Sequence, residues 1–276
     1  MPFEPELAVA EEAARRAGAI ILGHYGAAST EFSRKADGSP VSRADLEANA
    51  AILAIVRRAF PADGLLSEES PDEAVRLARE RVWIIDPLDG TRGFLARTDD
   101  FGVHVALVVR GIPTVAVVYQ PVGDRLDRAV LGSGAFRVRA GRAVRLEVSQ
   151  EAHLGALRVG VSRHNAPPPL LAWLETHGLA PRAVRLGASG KAMSVADGTL
   201  DAVVTITGSE KEWDTCAPEL VVREAGGRVT DGDGRTLTYN QPASAIDRPR
   251  GILISNGRCH DELLQLMAPL LPEGPR

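Results

Sequence analysis

The chain has 276 residues, a formal net charge of −4, 45% apolar residues and 25% charged residues. This length allows two domains with an ample core, and the composition is that of an ordinary soluble globular protein. The slight acidity argues against a protein that coats nucleic acid, which would normally carry a basic stripe. It does not exclude an anionic small substrate, because a bound metal can supply positive charge locally.

The start of the chain and its cysteines indicate a reducing compartment. The acidic first residues lack the basic and apolar regions of a signal peptide. The most apolar stretch, 101–119, is interrupted by His104, by an arginine and by a proline, and cannot span a bilayer. The two cysteines, Cys216 and Cys259, have no metal-type spacing, so no disulfide framework is expected. We expect a cytoplasmic protein with no membrane partner.

The first half of the chain predicts two helices followed by short strands. Apolar residues at helical spacing predict a helix over 4–26, and Ser42 is a good N-cap for a second helix over 43–60. Period-two patterns and turn residues predict short strands and then an antiparallel meander. These segments are 30–34, 64–67, 82–85, 101–110, 114–119 and 126–131, with two more around Gly134 and Gly141.

The second half alternates between strand and helix patterns, which is typical of an α/β unit. The predicted strands are 157–162, 182–186, 201–206, 228–230 and 251–255, and the predicted helices are 167–177, 189–197, 214–225 and 258–270. A surface loop is predicted over 241–250. We place the boundary near residue 147, which gives an N-terminal α+β domain (1–147) and a C-terminal α/β domain (148–276).

The stretch 83–91, Trp-Ile-Ile-Asp-Pro-Leu-Asp-Gly-Thr, concentrates the chemistry of the first half. Its apolar residues predict a buried strand that ends at Asp86 and the following proline, which cannot donate to a sheet. Asp89 would follow on a stiff turn, Gly90 would permit close backbone approach, and Thr91 would open a helix whose N-terminus favours an anion. Carboxylates beside such a cradle suit an oxygen-ligated Mg²⁺. The alternative is an ordinary Asp-Pro turn with an aspartate N-cap.

Two adjacent glutamates, Glu68 and Glu69, follow the predicted strand 64–67. Paired carboxylates repel each other when buried, so they need solvent or a cation. An ordinary solvated turn is the default interpretation. If strand 64–67 lies beside the next strand, both would deliver acids to the same edge of a sheet.

Two further aspartates have a simple explanation as helix caps. Asp45 would be the third residue of the second helix and would complete a capping box with Ser42. Asp214 is a natural N-cap for the helix over 214–225, and Pro218 would be tolerated in its first turn. Taken alone, each aspartate is explained by capping.

Several common binding motifs are incomplete in this sequence. The glycines at 132–134 lack the third glycine of a dinucleotide fold, and Ser-Gly-Lys at 189–191 lacks the leading glycine of a P-loop. The acidic turn at 231–234 lacks the later oxygen ligands of an EF-hand. The six histidines are scattered and offer no zinc cluster.

The order of the surviving motifs resembles the inositol monophosphatase superfamily of Mg²⁺-dependent, lithium-sensitive phosphatases. An acid pair at a strand end is followed by Asp-Pro-Leu-Asp-Gly-Thr, then by Trp-Asp at 213–214 and Glu-Ala-Gly-Gly at 224–227. The resemblance extends from Asp-Gly-Ser-Pro-Val at 37–41 to Ile254. It implies an α/β fold, a layered αβαβα sandwich of the inositol monophosphatase/fructose-1,6-bisphosphatase type, with the metals at the junction of the two halves.

Carried over onto this sequence, the resemblance implies two Mg²⁺ sites that share one carboxylate, and it leaves a third ion open. The implied ligands are Glu68, Asp86 and the carbonyl of Leu88 for the first ion, and Asp86, Asp89 and Asp214 for the second. Glu69 would lie next to these ligands.

The resemblance also assigns roles in phosphate binding and water activation. Gly90 and Thr91 would bind the phosphate through their backbone amides, with Asp89 and Asp214 facing the substrate. Asp45 would pair with the Thr91 hydroxyl and, with Glu68, would position or deprotonate the attacking water. Phosphate-ester hydrolysis needs charge neutralisation and an activated in-line water, which two metal ions supply together.

Within the superfamily, Trp-Asp-Thr-Cys-Ala-Pro-Glu at 213–219 and Gly-Ala-Ser-Gly-Lys at 187–191 are similar to the 3'(2'),5'-bisphosphate nucleotidases. Their lysine lies near the second phosphate of the substrate, so Lys191 is expected there, with Ser162 and Arg163 nearby. A bisphosphate needs a cation for the phosphate that the metals do not hold. The alternative for Lys191 is a solvated helix residue.

Two departures bear on the choice of substrate. The nucleotidases usually carry Lys-Glu-Phe or Lys-Glu-Tyr after the threonine, whereas this chain has Arg92-Gly93-Phe94, and Ser42 replaces the more usual threonine. The predicted reaction is hydrolysis of 3'-phosphoadenosine 5'-phosphate to AMP. The alternatives are an inositol-1-monophosphatase or a broad sugar-phosphate phosphatase that includes fructose 1,6-bisphosphate.

A hypothesis of another class is a non-catalytic, partner-binding member of the superfamily. It would predict a missing ligand or a basic patch, and this chain has every implied ligand and is acidic. We therefore expect a small phosphorylated substrate and no nucleic-acid partner, and we allow for a homodimer.

Overall fold

The structure is a computed structural model that describes residues 2–27, 32–35, 38–208, 210–242 and 251–271. The first two residues of the predicted strand 30–34, most of the predicted loop 241–250, and Ala36 and Asp37 lie outside the described residues.

Two long helices cover one face of a seven-stranded sheet in the N-terminal half. They are α1 (Glu4–Tyr25) and α2 (Arg43–Ala59), close to the predicted bounds, and they flank a hairpin of β1 (Phe32–Arg34) and β2 (Pro40–Ser42). Alanines and Gly18 on α1 permit close packing, since a Cβ on Gly18 would lie 2.4 Å from the Tyr119 ring. The apolar period read from the sequence therefore does form the buried face of α1.

The seven-stranded sheet follows chain order. Its strands are β3 (Gly64–Ser67), β4 (Arg81–Asp89), β5 (Gly102–Val109), β6 (Ile112–Gln120), β7 (Arg125–Val130), β8 (Gly134–Arg139) and β9 (Arg142–Arg145). Only β3 and β4 pair in parallel, and the rest form the predicted antiparallel meander. Trp83 and Ile85 face α1 and α2, whereas Val82 and Ile84 face the opposite core, so β4 is buried on both sides.

The prediction that β4 ends at Asp86 and Pro87 is wrong. The strand continues to Asp89, and its pairing with β5 shifts register between Asp86 and Asp89. A shift of this kind accommodates a proline, which has no N–H for the ladder. The Leu88 N–H donates instead to Asp86 Oδ1 at 3.0 Å. A short helix, α3 (Thr91–Leu95), follows.

The C-terminal half contains a mixed five-stranded sheet in the order β11-β10-β12-β14-β13. Its strands are β10 (Val159–Ser162), β11 (Ala183–Leu186), β12 (Ala202–Thr205), β13 (Arg228–Asp231) and β14 (Ile252–Ser255). The helices are α4 (Pro168–Thr176), α5 (Ala188–Ala196), α6 (Glu212–Glu224) and α7 (His260–Met267). All lie close to the predicted segments. Among the described residues, no helix combines the length and apolar character needed to cross a bilayer.

The packing of these elements gives the predicted αβαβα layers. One core joins α1 and α2 to the seven-stranded sheet. A second joins the other face of that sheet to α5, α6 and the five-stranded sheet, and a third covers the far face of the five-stranded sheet with α4 and α7. The two sheets draw on residues 64–145 and 159–255. The division into 1–147 and 148–276 stays a prediction.

Candidate active site

Parallel pairing of β3 and β4 brings two groups of acids to one edge of the seven-stranded sheet. Ser67, the last residue of β3, lies opposite Ile85, so Glu68 emerges next to Asp86. The Asn49 side chain, on α2, accepts from the Ser67 hydroxyl and donates to Ser70, which fixes the turn that carries Glu68. The prediction that both strands deliver acids to the same edge is confirmed.

Three carboxylates converge at this edge. Asp86, Asp89 and Asp214 each place an oxygen within 4.8 Å of the other two. Burial and the charges of neighbouring acids raise the pKa of Asp86 and of Asp214 well above the usual range. Asp86 and Asp89 are buried and Asp214 is partly exposed. Carboxylates this close repel one another, and a hard divalent cation such as Mg²⁺ is the partner that suits an all-oxygen set of ligands. The residues present therefore fit the metal that the sequence suggested.

Glu68 lies beside this three-carboxylate cluster, outside the set of mutually close oxygens. The negative charge of Glu68 contributes to the raised pKa of Asp86. On its other side, Lys35 Nζ donates to Glu68 Oε1 at 2.6 Å and to Glu69 Oε1 at 2.5 Å. Burial raises the pKa of Glu69 to about 7, although the bond from Lys35 opposes the shift.

Thr91 and Asp45 meet next to the cluster. The Thr91 hydroxyl lies 3.0 Å from Asp45 Oδ1 and 3.2 Å from the carbonyl of Leu88. Asp45 Oδ2 accepts from both the backbone N–H and the hydroxyl of Ser42, which confirms the capping role at the start of α2. Burial raises the pKa of Asp45, against the hydrogen bonds that it accepts. One carboxylate thus serves the helix cap and the Thr91 contact together.

Glycines allow the loop around α3 to pack tightly behind this edge. Gly90 has φ +86°, which favours glycine, and a Cβ there would lie 2.6 Å from the Asp100 carbonyl. A Cβ on Gly93 would meet the same oxygen at 2.6 Å, and one on Gly187 would lie 2.1 Å from the Asp100 Cβ. Asp100 therefore contacts both the Gly90–Gly93 segment, which includes the proposed phosphate-binding amides, and Gly187 at the start of α5.

Asp214 approaches the cluster from the C-terminal half, but the predicted N-cap role is wrong. Helix α6 begins two residues earlier, with Lys211 as its N-cap, and Asp214 is the third helical residue. Its Oδ2 accepts the Lys211 N–H at 2.6 Å, the arrangement that Asp45 has on α2. Pro218 consequently lies inside the helix and not in its first turn.

A cavity of about 370 Å³ opens beside these acids, a size that suits a small-molecule substrate. It is lined by Glu68, Asp89, Gly90, Thr91 and Asp214, and also by Lys191 and Ser162. The Lys191 side chain is half-buried and makes no hydrogen bond or ion pair with the part of the chain that the structure describes. Ser162 Oγ accepts the Asn165 N–H at 3.0 Å.

Arg163 is not among the residues that line the cavity. Its Nη1 lies 2.9 Å from Asp100 Oδ2, in an ion pair between the two halves of the chain. The guanidinium of Arg163, which the sequence analysis expected near the substrate, is therefore already paired with Asp100.

Several cavity-lining residues were given no role from the sequence, and Arg92, His104 and Glu210 are three of them. Arg92 Nη1 donates to Asn165 Oδ1 at 3.0 Å, and both residues line the cavity. His104 is buried, which lowers its pKa, and its Nε2 lies 3.5 Å from Asp89 Oδ2. Glu210 lies near enough to raise the pKa of Asp214. The sequence singled out Arg92 only as a departure from the nucleotidase pattern and His104 only as an interruption of the apolar run 101–119, and it gave no signal for Glu210.

Comparison with known proteins agrees with this geometry. The model of the inositol monophosphatase family matches residues 3–269. The chain is 35% identical to the 3'(2'),5'-bisphosphate nucleotidase CysQ of Salmonella typhimurium, over 85% of this chain and 94% of that protein. It is 41% identical to the 3'-phosphoadenosine 5'-phosphate phosphatase of Mycobacterium leprae, over 71% of this chain and 72% of that one.

The fold is also that of solved structures. The inositol monophosphatase of Anabaena (Nostoc) sp. PCC 7120 superposes with a TM-score of 0.76 at 29% identity, covering 99% of this chain and 98% of that one. The sequence match, the layered fold and the acids that β4 and α6 bring together point to the same group of proteins. The chain belongs to the inositol monophosphatase family and is a phosphatase of that family.

Proposed function

We propose that the protein is a Mg²⁺-dependent, Li⁺-sensitive phosphatase that converts 3'-phosphoadenosine 5'-phosphate to AMP. The observation that supports the reaction is the three-carboxylate cluster of Asp86, Asp89 and Asp214 with the Thr91–Asp45 contact beside it. When bound there, divalent cations would neutralise charge on the phosphoryl oxygens and make water a better nucleophile.

Glu68, Asp86 and the Leu88 carbonyl would hold one ion, and Asp86, Asp89 and Asp214 the other. The shared ligand, Asp86, is fixed by a hydrogen bond from the Leu88 N–H. Oxygen ligands that are held in place before the ion binds do not lose conformational entropy on binding, which favours metal affinity.

Thr91 and Asp45 would orient and deprotonate the attacking water. The Thr91 hydroxyl has one proton, and while it donates to Asp45 its lone pairs can accept from water. The raised pKa of Asp45 makes this carboxylate a better proton acceptor than an exposed aspartate. Glu68, which faces the cavity, is the second candidate base. Backbone amides at Gly90 and Thr91 would bind the phosphate.

The choice of a bisphosphate substrate rests on Lys191. It faces the cavity as a half-buried ammonium with no partner among the described side chains, and a second phosphate would supply one. Ser162 also lines the cavity and can contribute a hydroxyl. Arg163 would join only if it exchanged Asp100 for the substrate.

A second candidate is inositol 1-phosphate or a sugar phosphate such as fructose 1,6-bisphosphate. It is favoured by Arg92-Gly93-Phe94, which departs from the nucleotidase pattern beside the cavity, and by the similarity to the Anabaena inositol monophosphatase. A third, non-catalytic candidate would leave the carboxylates without a catalytic role.

The deciding experiment measures phosphate release with Mg²⁺ from all three substrates, with and without Li⁺. Preference for the adenosine bisphosphate, inhibited by Li⁺ and abolished by Asp86→Asn, is the expected result. Preference for inositol 1-phosphate would overturn the substrate and keep the reaction. A folded protein with no turnover on any phosphate ester would overturn the reaction as well.

A further inference from the structure

Arg76 is a charged residue that is only 1% exposed, although it does not line the cavity. It lies on a 3₁₀ turn, Ala74–Ala78, between β3 and β4. Its guanidinium binds Asp72 through two bonds, from Nε to Oδ1 at 2.6 Å and from Nη2 to Oδ2 at 2.8 Å. Burying an arginine costs free energy unless its N–H groups form hydrogen bonds or ion pairs inside the protein. The remaining bonds of Arg76 therefore indicate which part of the structure it stabilises.

Those remaining bonds reach across to the C-terminal half. Arg76 Nη1 donates to Asn240 Oδ1 at 2.7 Å, and Nη2 donates to the Gln241 carbonyl at 3.0 Å. Asn240 Nδ2 returns a bond to the Arg76 carbonyl at 3.3 Å. The segment 240–241 is therefore fixed to the N-terminal half by one side chain.

The same segment holds the start of α6. The N–H groups of Asn240 and Gln241 donate to the two carboxylate oxygens of Glu212, at 2.8 and 2.9 Å. Glu212 is completely buried and is the first residue of α6, two positions before Asp214. A displacement of 240–241 would therefore displace the helix turn that carries Asp214.

Arg76 also packs on the strand that leads to Glu68. A Cβ on Gly64, the first residue of β3, would lie 3.1 Å from the Arg76 Cβ and 3.2 Å from its Cα. The backbone of the 3₁₀ turn thus lies directly against β3. One residue contacts both the strand before Glu68 and the segment that anchors α6.

We infer that Arg76 is a positioning residue that holds Asp214, through Asn240, Gln241 and Glu212, within metal-binding distance of Asp86 and Asp89. Repulsion gives such a residue a purpose, since three carboxylates so close together, two of them buried, oppose the approach of the start of α6 to β4. This inference rests on the proposed metal site and concerns which residue outside it sets its geometry.

The test is calorimetric titration of the full chain with Mn²⁺ and with Mg²⁺, after circular dichroism has shown that each variant is folded. Arg76→Met should weaken metal binding about tenfold, the effect of losing a residue that supports a ligand. Arg76→Lys keeps the positive charge but cannot form the two parallel bonds of the guanidinium, so its metal affinity should lie between those of Arg76→Met and the wild type.

Arg137→Met is the matched control. Arg137 also binds an aspartate of its own half through two bonds, to Asp127, and reaches across to Asp197 at 2.8 Å, but it touches no residue at the start of α6. It should leave metal affinity unchanged. Asn240→Gly removes only the side-chain link, at a position whose φ of +58° suits glycine, and should weaken binding about threefold.

The outcomes separate this inference from the proposed function. A folded Arg76→Met with wild-type affinity, or an equal loss in Arg137→Met, overturns it. If Arg76→Met does not fold, unchanged affinity in Asn240→Gly overturns it instead. Asp86→Asn serves as the reference, because metal binding that survives this substitution would refute the proposed metal site itself.

Discussion

The Thr91 hydroxyl donates to Asp45 Oδ1 at 3.0 Å and so joins two residues that are 46 positions apart in the chain. The opposite oxygen of Asp45 is held by two bonds from Ser42, which prevents the carboxylate from turning away. A helix cap thereby orients a catalytic candidate.

Thr91→Val tests the proposed role of this contact. Valine has nearly the same shape but no hydroxyl, so we expect kcat to fall about 100- to 1,000-fold, the usual contribution of a positioned proton-transfer group. Metal affinity should stay unchanged, because Thr91 contributes no proposed metal ligand. Thr91→Ser is the control and should retain most activity. Steady-state kinetics with calorimetric metal titration would check both, and a Thr91→Val enzyme of wild-type kcat would contradict the role.

Asp86→Asn should separate stability from metal binding. The substitution removes one of several mutually repelling buried charges and keeps the oxygen that accepts the Leu88 N–H. We expect the metal-free protein to gain about 1 kcal/mol of unfolding free energy, while stabilisation by Mg²⁺ disappears. Urea unfolding with and without Mg²⁺ measures both changes. Asp99→Asn, at an exposed position, should change neither, and a less stable metal-free Asp86→Asn protein would argue against the repulsion.

Lys191→Met should raise KM for a bisphosphate substrate while affecting inositol 1-phosphate little. The lost charge-assisted bond to a phosphate corresponds to about a tenfold to hundredfold increase in KM. Arg163→Met is the informative companion, because Arg163 is paired with Asp100 in the structure. An equal rise in KM for Arg163→Met would place Arg163 on the substrate. No rise for Lys191→Met would leave Lys191 as a solvated helix residue.

His260 should make the stability of the protein depend on mildly acidic pH. It is buried between Ser255 and Thr230, and burial lowers its pKa to about 4. Between pH 6.5 and 4 the unfolded chain binds the proton and the folded chain does not. Stability present above pH 6.5 is therefore lost as pH falls towards 4, by up to about 3 kcal/mol from this group. Urea unfolding of the wild type and His260→Gln at pH 7 and pH 5 should show a steeper loss in the wild type.

The sequence was sufficient for elements whose signal is local. The period of α1, the Ser42 cap of α2 and the alternation of the meander each depend on neighbouring residues, and the structure contains all of them. The convergence of the acids was predictable from the family resemblance and from the parallel pairing of β3 and β4.

Features that depend on residues far apart in the chain could not be predicted from the sequence. The start of α6 is set by amides at 240–241 that hold Glu212, 28 and 29 positions away, so the local preference of Asp214 for an N-cap did not decide it. The strand past Pro87 is possible because β5 accepts a shifted register. The contact of Lys35 with Glu68 spans 33 positions, and composition showed only that lysine is rare in this chain.

The core between the two sheets is built from both halves of the chain. Leu66 and Ala106 from the seven-stranded sheet pack in one cluster with Leu220 and Tyr239 from the C-terminal half. A fragment that ends near residue 147 would expose the inner face of its sheet to water, and the remainder would lose the surface on which α6 rests. We therefore expect the whole chain to unfold in one cooperative step. The melting curve should show a single transition, although the strands divide into two sheets near residue 147.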